Sequence, residues 1–345
     1  MKKLLLIDGN AILHRAYHAY PNLTNPQGDP INAVYGFFSM LLTVLTDQKP
    51  DYLVVCFDRS APTHRKALFA GYHAHRPKMS DDFVQQIKVV DAIVEKMKVS
   101  VFAVEGYEAD DVIGTIAARV VNDQRTRKTQ QSGESDGQNV KKSESSENTE
   151  VIIVTGDRDL LQLVNPHVQV LMPLVGLTKT IMYDEARVEE KYGVHPRQFI
   201  DYKALIGDQS DGYPGVTGIG PKTAASLLQE YKTFENLYAK VNELPEKTGL
   251  KLATDAEQAA LAKQLATIIT DVPIQFDLLK CDTKHFDVTA LRQAFREQGF
   301  SSLQVKLDTL FGKAASNAVA EKKVEATSDV ADAKEKKDTE QLELL

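Results

Sequence analysis

Nine carboxylic acids in five separate stretches of the chain are the residues best able to carry out chemistry. They are Asp8, Asp58, Glu108, Asp110, Asp111, Asp157, Asp159, Asp208 and Asp211. Asp8, Asp58 and Asp157 each follow a short apolar run, where an isolated acid is most often the N-cap of the next helix. Parallel strands would bring several of these acids to one sheet edge, where ligands bind in open α/β sheets.

Clustered carboxylates repel one another unless cations lie between them. Oxygen ligands without accompanying histidine or cysteine favour Mg²⁺ or Mn²⁺ over zinc. Nine acids exceed the shell of one Mg²⁺ ion, which usually retains several waters, so the pattern predicts two ions. Two ions roughly 3.5–4 Å apart are the usual arrangement for phosphodiester cleavage, because they activate water and neutralise the transferred phosphate.

A glycine-rich turn, GVTGIGPKTAASLL, lies shortly after the last of these acids. It contains Gly218, Gly220, Lys222 and Thr223. Backbone amides that no side chain shields, at the start of a helix, form a seat for phosphate. The spacing is not that of a Walker A loop. An ordinary Gly–Pro turn at the start of a helix is the alternative interpretation.

A basic segment lies inside an acidic chain. The 345 residues carry a formal charge of −7, yet residues 59–79 hold five Lys or Arg, three His and no Asp or Glu. This local charge suits phosphate, and Tyr72 in the same segment could stack on a base. A solvated basic surface is the usual interpretation of an isolated basic run and stays open here.

The elements that must position these residues alternate between strands and helices in the first half of the chain. KKLLLID, DYLVVCFD, KVSVFAVEG and EVIIVTGD are apolar runs typical of strands buried on both faces of a parallel sheet. Helical patterns cover 33–46, 82–98 and 109–121. We predict a doubly wound, mainly parallel α/β sheet over 1–183, followed by a helical domain over 184–311.

Two segments are too polar to build a core. Residues 122–150 contain Val140 as their only apolar side chain, and 312–345 are rich in alanine and charge. We therefore predict a disordered insert and a disordered tail or linker. No apolar run approaches the roughly 18 residues of a membrane span. Cys56 and Cys281 lack the close partners of a metal knuckle and fit a reducing cytosol.

Five stretches in order carry a family resemblance: DGNAILHRAYHA, VVCFD, GYEADDVIGTIA, VTGDRDLLQLV and LIGDQSDGYPGVTGIGPKTAA. Over about residues 1–311 the chain resembles the 5′-nuclease domain of bacterial DNA polymerase I and its flap-endonuclease relatives. The resemblance implies a PIN-like fold, a two-metal site built from the nine acids, and a helical arch at about 59–98. It also implies that 218–223 form a helix–hairpin–helix that grips the duplex backbone, often with a bound K⁺ ion.

The resemblance implies a metal-dependent 5′-3′ exonuclease and 5′-flap endonuclease acting in primer removal and repair. Its partner would be DNA with a 5′ flap, a nick or a free 5′ end, RNA-primed ends included. Arg15 is expected near substrate phosphates, Arg76 and His73 at the scissile phosphate, and Lys78 on DNA beneath the arch. The expected protein is a monomer of the bacterial cytoplasm, associated with the nucleoid and not with a membrane.

Two positions depart from the family pattern. His73 occupies the place of a lysine that helps neutralise the scissile phosphate. Histidine, unlike lysine, is mostly neutral at pH 8, so cleavage is expected to be weaker or more sensitive to pH. SDGYPG stands where SDNIPG is common, so Gly212 loosens the turn that holds Asp211, and Tyr213 enlarges the neighbouring packing. We expect a modest loss of metal affinity.

Two other functions stay open. A haloacid-dehalogenase-type phosphatase also uses acids at strand ends, but it needs a second acid two residues after Asp8, where Asn10 stands. A non-catalytic DNA-junction binder is supported only by His73 and Gly212. The retained acids argue against it, because an idle site gains nothing from their mutual repulsion.

Overall fold

The structure, a computed structural model, describes residues 1–133, 148–175 and 179–312. The strands are β1 (Lys2–Asp8), β2 (Tyr52–Cys56), β3 (Ser100–Phe102), β4 (Thr149–Val154), β5 (Val168–Val175), β6 (Lys179–Tyr183), β7 (Gly207–Asp208) and β8 (Tyr213–Pro214). The helices are α1 (Gly9–Ala19), α2 (Asn32–Gln48), α3 (His64–Leu68), α4 (Asp81–Lys96), α5 (Ala109–Gly133), α6 (Glu185–Tyr192), α7 (Phe199–Ile206), α8 (Pro221–Tyr231), α9 (Phe234–Ala239), α10 (Glu246–Thr254), α11 (Ala256–Ala266), α12 (Val288–Glu297) and α13 (Ser301–Phe311).

Six of the strands form one sheet in the order β3-β2-β1-β4-β5-β6. All neighbours are parallel except β6, which runs antiparallel to β5. The predicted α/β class and mainly parallel sheet are therefore confirmed. The sheet extends by β5 and β6 beyond the strands that the apolar runs predicted. Only Tyr183 of β6 is buried, so this edge strand lacks the apolar run of an interior strand.

Successive side chains of β1 alternate between two cores, as the pleat of a strand requires. Leu4 and Leu6 pack on one face with α5 and with apolar side chains of α7 and α8. Leu5 and Ile7 pack on the other face with α1, α2 and α4. Helices α12 and α13, predicted as part of a helical domain, also lie on this second face, beside α4 and α2.

Helix α5 is 25 residues long and continues through Gly133, so the prediction of disorder from residue 122 onward is wrong for residues 122–133. Gln, Arg and Lys have good helix propensity, which lets a polar segment continue a helix. Strand β4 already begins at Thr149. The rest of the predicted insert, 134–147, and the predicted tail beyond residue 312 lie outside the described residues. Among the helices described, none has the length and apolar content to cross a membrane.

The strand order reverses beside β1, because the chain passes to β2 and β3 on one side before returning to β4 on the other. Ligands bind at such a reversal, outside the carboxyl ends of the strands. Asp8 is the last residue of β1, while Asp58 and Asp157 follow β2 and β4 within three residues. The fold therefore brings three of the predicted acids to one edge.

Candidate metal centre and nucleic-acid interface

The acids at the sheet edge are tied into the ends of the surrounding elements. Thr155 donates its hydroxyl proton to Oδ2 of Asp8 at 2.6 Å, and the Ala11 amide donates to Oδ1 at 3.0 Å. The Asp8 carboxylate thus links β1 to the end of β4 and caps α1. Asp58 accepts the Ala109 amide at 2.8 Å, which joins the end of β2 to the start of α5.

These acids make one another hard to ionise. Burial raises the pKa of Asp8 to about 7, and the charges of Asp58 and Asp157 act in the same direction. Burial also raises the pKa values of Asp110 and Asp157, and that of Asp110 is raised further by its three acidic neighbours. A raised carboxyl pKa means that the charged form is destabilised where it stands. A cation placed among these groups would remove that cost.

A second group of acids adjoins the first. One carboxylate oxygen from each of Asp159, Asp208 and Asp211 lies within 4.8 Å of the others. A 3₁₀ turn after β4 supplies Asp159, and the β7–β8 hairpin supplies Asp208 and Asp211. Asp157 connects the two groups, because it accepts the Asp159 amide at 2.9 Å while its charge acts on Asp8.

A buried lysine lies within the second group, and the sequence analysis missed it. Nζ of Lys203 lies 2.5 Å from Oδ1 of Asp159 and also contacts Oδ2 of Asp208. Lys203 is 6% exposed, in a helix whose neighbouring side chains are almost all buried. The sequence did contain a signal: Lys203 lies inside the apolar run of α7, five residues before Asp208. A lysine is almost never buried without a charged partner, so this position indicates an ion pair.

Burial and the neighbouring acids raise the pKa of Asp159 to about 8, although Lys203 opposes this. At Asp208 burial also disfavours the charge, but Lys203 and the hydroxyl and amide of Ser210 outweigh it and lower the pKa. The Lys203 ammonium therefore stabilises the negative charge of Asp208 fully but that of Asp159 only in part.

Asp111, also predicted as a metal ligand, lies beside Glu108, and the two residues share an arginine. Both oxygens of Asp111 bind the Arg65 guanidinium, at 2.8 and 2.9 Å, and Oδ1 also accepts the Ile269 amide at 2.9 Å. The residue is 0% exposed. Adjacent helical residues point about 100° apart, so Asp110 can face the acids of the sheet edge while Asp111 faces α3. Asp111 therefore anchors α5, and its role as a metal ligand stays a prediction.

Glu108 lies at the margin of the first group. It accepts hydrogen bonds from the hydroxyl of Thr63 at 2.7 Å, the guanidinium of Arg65 at 3.1 Å and the phenol of Tyr72 at 3.1 Å. Its charge still acts on Asp58. Glu108 thus joins the basic segment to the acids.

Tyr72 is placed differently from its prediction. The residue is 4% exposed and packs with Tyr213, Ala262 and Leu265. One ring face stacks on His73 with the centroids 3.9 Å apart. The ring is thus not available to a nucleotide base in this structure, contrary to the stacking prediction, because the segment folds back onto the protein.

The turn that carries His73 and Arg76 lies directly on Asp211. Nε2 of His73 is 3.2 Å and Nη2 of Arg76 is 2.9 Å from Oδ1 of Asp211. The two backbones also meet, since the His73 amide donates to the Asp211 carbonyl at 2.8 Å. The predicted scissile-phosphate residues therefore lie beside the second acid group.

Gly212 permits this close approach. Its φ is +80°, and an added Cβ would lie 3.0 Å from the carbonyl oxygen of Gly71. A side chain would be strained by the backbone conformation and crowded by the neighbouring turn. Gly212 therefore fits the docked turn closely, whereas the sequence analysis expected it only to loosen the segment around Asp211.

The glycine-rich turn forms an exposed hairpin in front of α8. Val216 and Ile219 are buried and fix it to the core, whereas Gly218, Gly220, Lys222 and Thr223 are exposed. Pro221 begins the helix, and the first amides of a helix have no partner within it. This arrangement of free amides and an exposed lysine favours the phosphate-seat interpretation over a plain helix start.

Sequence comparison assigns this architecture. Residues 3–193 match the 5′-3′ exonuclease N-terminal resolvase-like domain, and residues 194–289 match the 5′-3′ exonuclease C-terminal SAM fold. The chain belongs to the 5′-3′ exonuclease family. Strand β6, the last strand of the six-stranded sheet, ends at Tyr183. The first match ends ten residues later, at residue 193.

Relatives of this chain occur both within a longer protein and alone. It is 37% identical to DNA polymerase I of Caldicellulosiruptor bescii over 307 residues, which covers 88% of this chain and 33% of that protein. It is 32% identical to the 5′-3′ exonuclease of Aquifex aeolicus over 319 residues, which covers 92% of this chain and 100% of that protein. The chain thus spans about a third of the polymerase relatives.

The chain also shares its fold with a solved structure, that of the bacteriophage T5 flap endonuclease in a complex with DNA and metal ions. The TM-score is 0.59 at 16% sequence identity, and the likeness covers 90% of this chain and 98% of that one. At this identity the likeness concerns the fold.

The acidic residues of this chain fit divalent ions. The donors are carboxylate oxygens throughout, as Mg²⁺ and Mn²⁺ prefer. The Lys203 ammonium between Asp159 and Asp208 shows that a cation is accommodated there. The predicted ligands lie in or beside the two acid groups, and Asp111 among them is paired with Arg65.

The K⁺ site predicted at the glycine-rich hairpin fits this chain less well than the predicted divalent-ion site does. Nζ of Lys251 donates to the carbonyl oxygen of Gly218 at 2.8 Å, and Oδ2 of Asp255 accepts the Thr217 amide at 2.7 Å. Lys251 and Asp255 are four residues apart and so share one face at the end of α10. The ammonium already occupies the hairpin carbonyl that a monovalent cation would use.

The remaining residues predicted to contact DNA lie at the surface of the chain. Arg15 is partly exposed and donates from Nη2 to the carbonyl of Leu174 at 2.7 Å. Lys78 is exposed between the docked turn and α4. Both positions are accessible from solvent, and their contact with DNA stays a prediction.

Proposed function

We propose that this chain is a divalent-metal-dependent 5′-3′ exonuclease and 5′-flap endonuclease that hydrolyses DNA phosphodiesters near a duplex junction. The observation that carries the proposal is the convergence of acids from five separate stretches at one sheet edge. Their mutual repulsion has a physical reason only if cations bind between them. Family membership and the exposed hairpin support the same conclusion.

Two ions would be held by the two acid groups. The first group comprises Asp8, Asp58, Glu108 and Asp110; the second comprises Asp159, Asp208 and Asp211, and Asp157 lies between them. When bound, the ions would activate a water and neutralise charge on the transferred phosphate. Mg²⁺ and Mn²⁺ are the ions we expect at both positions, because both prefer oxygen ligands.

The protein's own side chains would position the substrate around this site. His73 and Arg76 contact Asp211 at the margin of the second group. When a phosphate enters the site, its oxygens would replace the Asp211 carboxylate as the partner of these two side chains. The guanidinium can bind a phosphate through two parallel hydrogen bonds. Thr155 and Ala11 keep the Asp8 carboxylate fixed while this happens.

The hairpin would bind the duplex part of the substrate. Its free amides and Lys222 can contact backbone phosphates, which positions DNA without reading its sequence. The hairpin follows Asp211 by only a few residues and is anchored by Val216 and Ile219. The cut would therefore fall at a fixed distance from the bound duplex.

The finer substrate assignment is also proposed. A 5′ flap, a nick and a free 5′ end are the expected DNA partners, and RNA-primed 5′ ends would make the protein suitable for primer removal and repair. We expect a monomer acting in the cytoplasm at the nucleoid. Binding through phosphates implies that affinity falls as salt rises.

A direct test uses 5′-labelled flap, nicked and single-stranded DNA of one sequence. Each is incubated with the protein in Mg²⁺, Mn²⁺, Ca²⁺ or EDTA, and the products are mapped. We expect cleavage near the junction in Mg²⁺ or Mn²⁺, with 3′-hydroxyl and 5′-phosphate ends. Asp157→Asn should abolish cleavage but retain DNA binding, and Lys222→Ala should weaken binding without moving the cut.

Two results would replace the proposal. Binding of flap DNA in Ca²⁺ without any cutting in Mg²⁺ or Mn²⁺ would identify a DNA-junction binder. Turnover of a small phosphate ester that needs no DNA would identify a phosphatase.

A further inference from the structure

Tyr213 lies directly beside the second acid group. It pairs with Asp208 across the short β7–β8 hairpin and is two residues from Asp211. The residue is 3% exposed, and its ring packs with Tyr72, Ala262 and Leu265. Because backbone pairing and packing both hold it, the phenol cannot turn away from the acids without disrupting this small core.

The Tyr213 hydroxyl is buried and has no hydrogen-bond partner among the described residues. The charges of Asp159 and Asp211 act on this phenol, which lies near them, and its hydroxyl proton is available for donation. Buried hydroxyl groups are nearly always hydrogen-bonded, and an orphan near a site points to a ligand or an ordered water. We therefore infer that the Tyr213 hydroxyl donates to a ligand that the neighbouring acids bind.

We propose that the Tyr213 hydroxyl donates a hydrogen bond to a water ligand of the cation held by Asp159, Asp208 and Asp211. Tyr213 is then a positioning residue, which fixes one water of the metal shell through a rigid phenol. The proposal rests on the divalent-metal site of the proposed function. Hydrogen bonds beyond the direct ligands commonly tune the affinity of a metal site.

Tyr238 supplies a matched control. Its hydroxyl is also buried without a partner among the described residues, but its charged neighbour is Asp255, away from the site acids. Tyr238→Phe and Tyr213→Phe therefore each remove one buried hydroxyl without a partner, the first away from the site acids and the second beside them. Only the second change should alter metal binding.

The test measures Mn²⁺ binding by titration calorimetry and thermal melting of the whole chain, without DNA. We expect Tyr213→Phe to melt at a higher temperature than the parent chain without metal, because an unsatisfied hydroxyl is gone. Its dissociation constant for Mn²⁺ should be about ten-fold weaker, the value of one hydrogen bond. Tyr238→Phe should also melt higher without metal, with an unchanged Mn²⁺ constant.

Activity provides a second measurement. Tyr213→Phe should need more Mg²⁺ for half-maximal cleavage of flap DNA, while KM for that DNA stays unchanged. Tyr213→Met, which also fills the space without a hydroxyl, should show the same weakening of Mn²⁺ binding if Phe does not fold.

Equal Mn²⁺ constants for the parent chain and the Tyr213 variants would overturn the proposal, as would equal weakening by Tyr238→Phe. If the chain binds Mn²⁺ and responds to Tyr213→Phe but does not cut DNA, the proposed nuclease function fails while this inference stands.

Discussion

The ammonium of Lys203 lies 2.5 Å from Oδ1 of Asp159, inside a group of acids that would hold a metal ion. The same nitrogen contacts Asp208, so a single buried side chain compensates two members of the group. Lys203 therefore keeps the acids together in the absence of metal, and it also competes with a divalent ion for them.

Replacing this lysine separates the two effects. Lys203→Met should lower the free energy of unfolding without metal by about 3–5 kcal/mol, because removing one partner leaves buried charge uncompensated. The rise in melting temperature on adding Mg²⁺ should be larger in the variant, since the ion no longer competes with an ammonium. Thermal melts with EDTA and with Mg²⁺ measure both quantities, and Lys191→Met on the surface is the control. Equal Mg²⁺-induced shifts in all three proteins would contradict this account.

The buried acids predict the pH dependence of stability without metal. The pKa of Asp8 is raised to about 7 and that of Asp159 to about 8 from an ordinary value of 3.8, so the folded chain binds more protons than the unfolded chain in this window. Stability should then fall as pH rises from about 4 to about 8. Mg²⁺ should stabilise increasingly over the same window, because it displaces those protons.

Melting temperatures measured across this pH window in EDTA, and again in Mg²⁺, check the prediction. Asp8→Asn should make the decline in EDTA shallower, since asparagine can still cap α1 but does not ionise. The exposed Asp271→Asn should leave the slope unchanged. A melting temperature that rises with pH in EDTA would show that the acids do not repel one another as described.

His73 predicts a difference in the pH dependence of cleavage. His73→Lys should raise kcat/KM most at alkaline pH, because lysine stays charged where histidine is mostly neutral. The change is sterically mild, since the φ of His73 is already +55° and neither residue is a glycine. The measurement is kcat/KM of the parent chain and of His73→Lys as a function of pH, from pH 6 to roughly 9. Profiles that coincide over this range would make the residue at position 73 irrelevant to catalysis.

The contact between Lys251 and Gly218 predicts how DNA binding responds to monovalent ions. Because the ammonium lies 2.8 Å from the hairpin carbonyl, affinity for flap DNA should be the same in K⁺, Na⁺ and tetramethylammonium at one ionic strength. Lys251→Met should bind more weakly, and K⁺ should restore part of the loss. Fluorescence anisotropy in Ca²⁺, which separates binding from cleavage, provides the measurement.

Lys247→Met is the matched control, because it removes one exposed positive charge from the same helix. It should weaken binding slightly and equally in every salt. A parent chain that needs K⁺ for full affinity would show that Lys251 does not fill the hairpin site.

Much of the fold followed from pattern alone. Continuous apolar runs predicted strands buried on two faces, and alternation with helices predicted a parallel sheet, because burial and crossover geometry leave few other solutions. The apolar pattern did not predict strand β6, because an edge strand buries too little side-chain surface to require an apolar run. It also did not predict the end of α5, because a polar helix and a polar coil differ in propensity by only tenths of a kcal/mol per residue.

The sequence by itself predicted the class of chemistry, since a set of nine acids favours hard cations as ligand partners. It could not determine which acid faces which neighbour. Asp110 and Asp111 are adjacent and chemically identical, yet the rotation of one helical step sends the second to Arg65. Nor could it place Lys203 between Asp159 and Asp208, because side chains 44 residues apart meet only when the sheet edge, the 3₁₀ turn and α7 are packed together. Composition fixes which interactions are possible, and only the tertiary packing, by burying some charges beside others, decides which of them form.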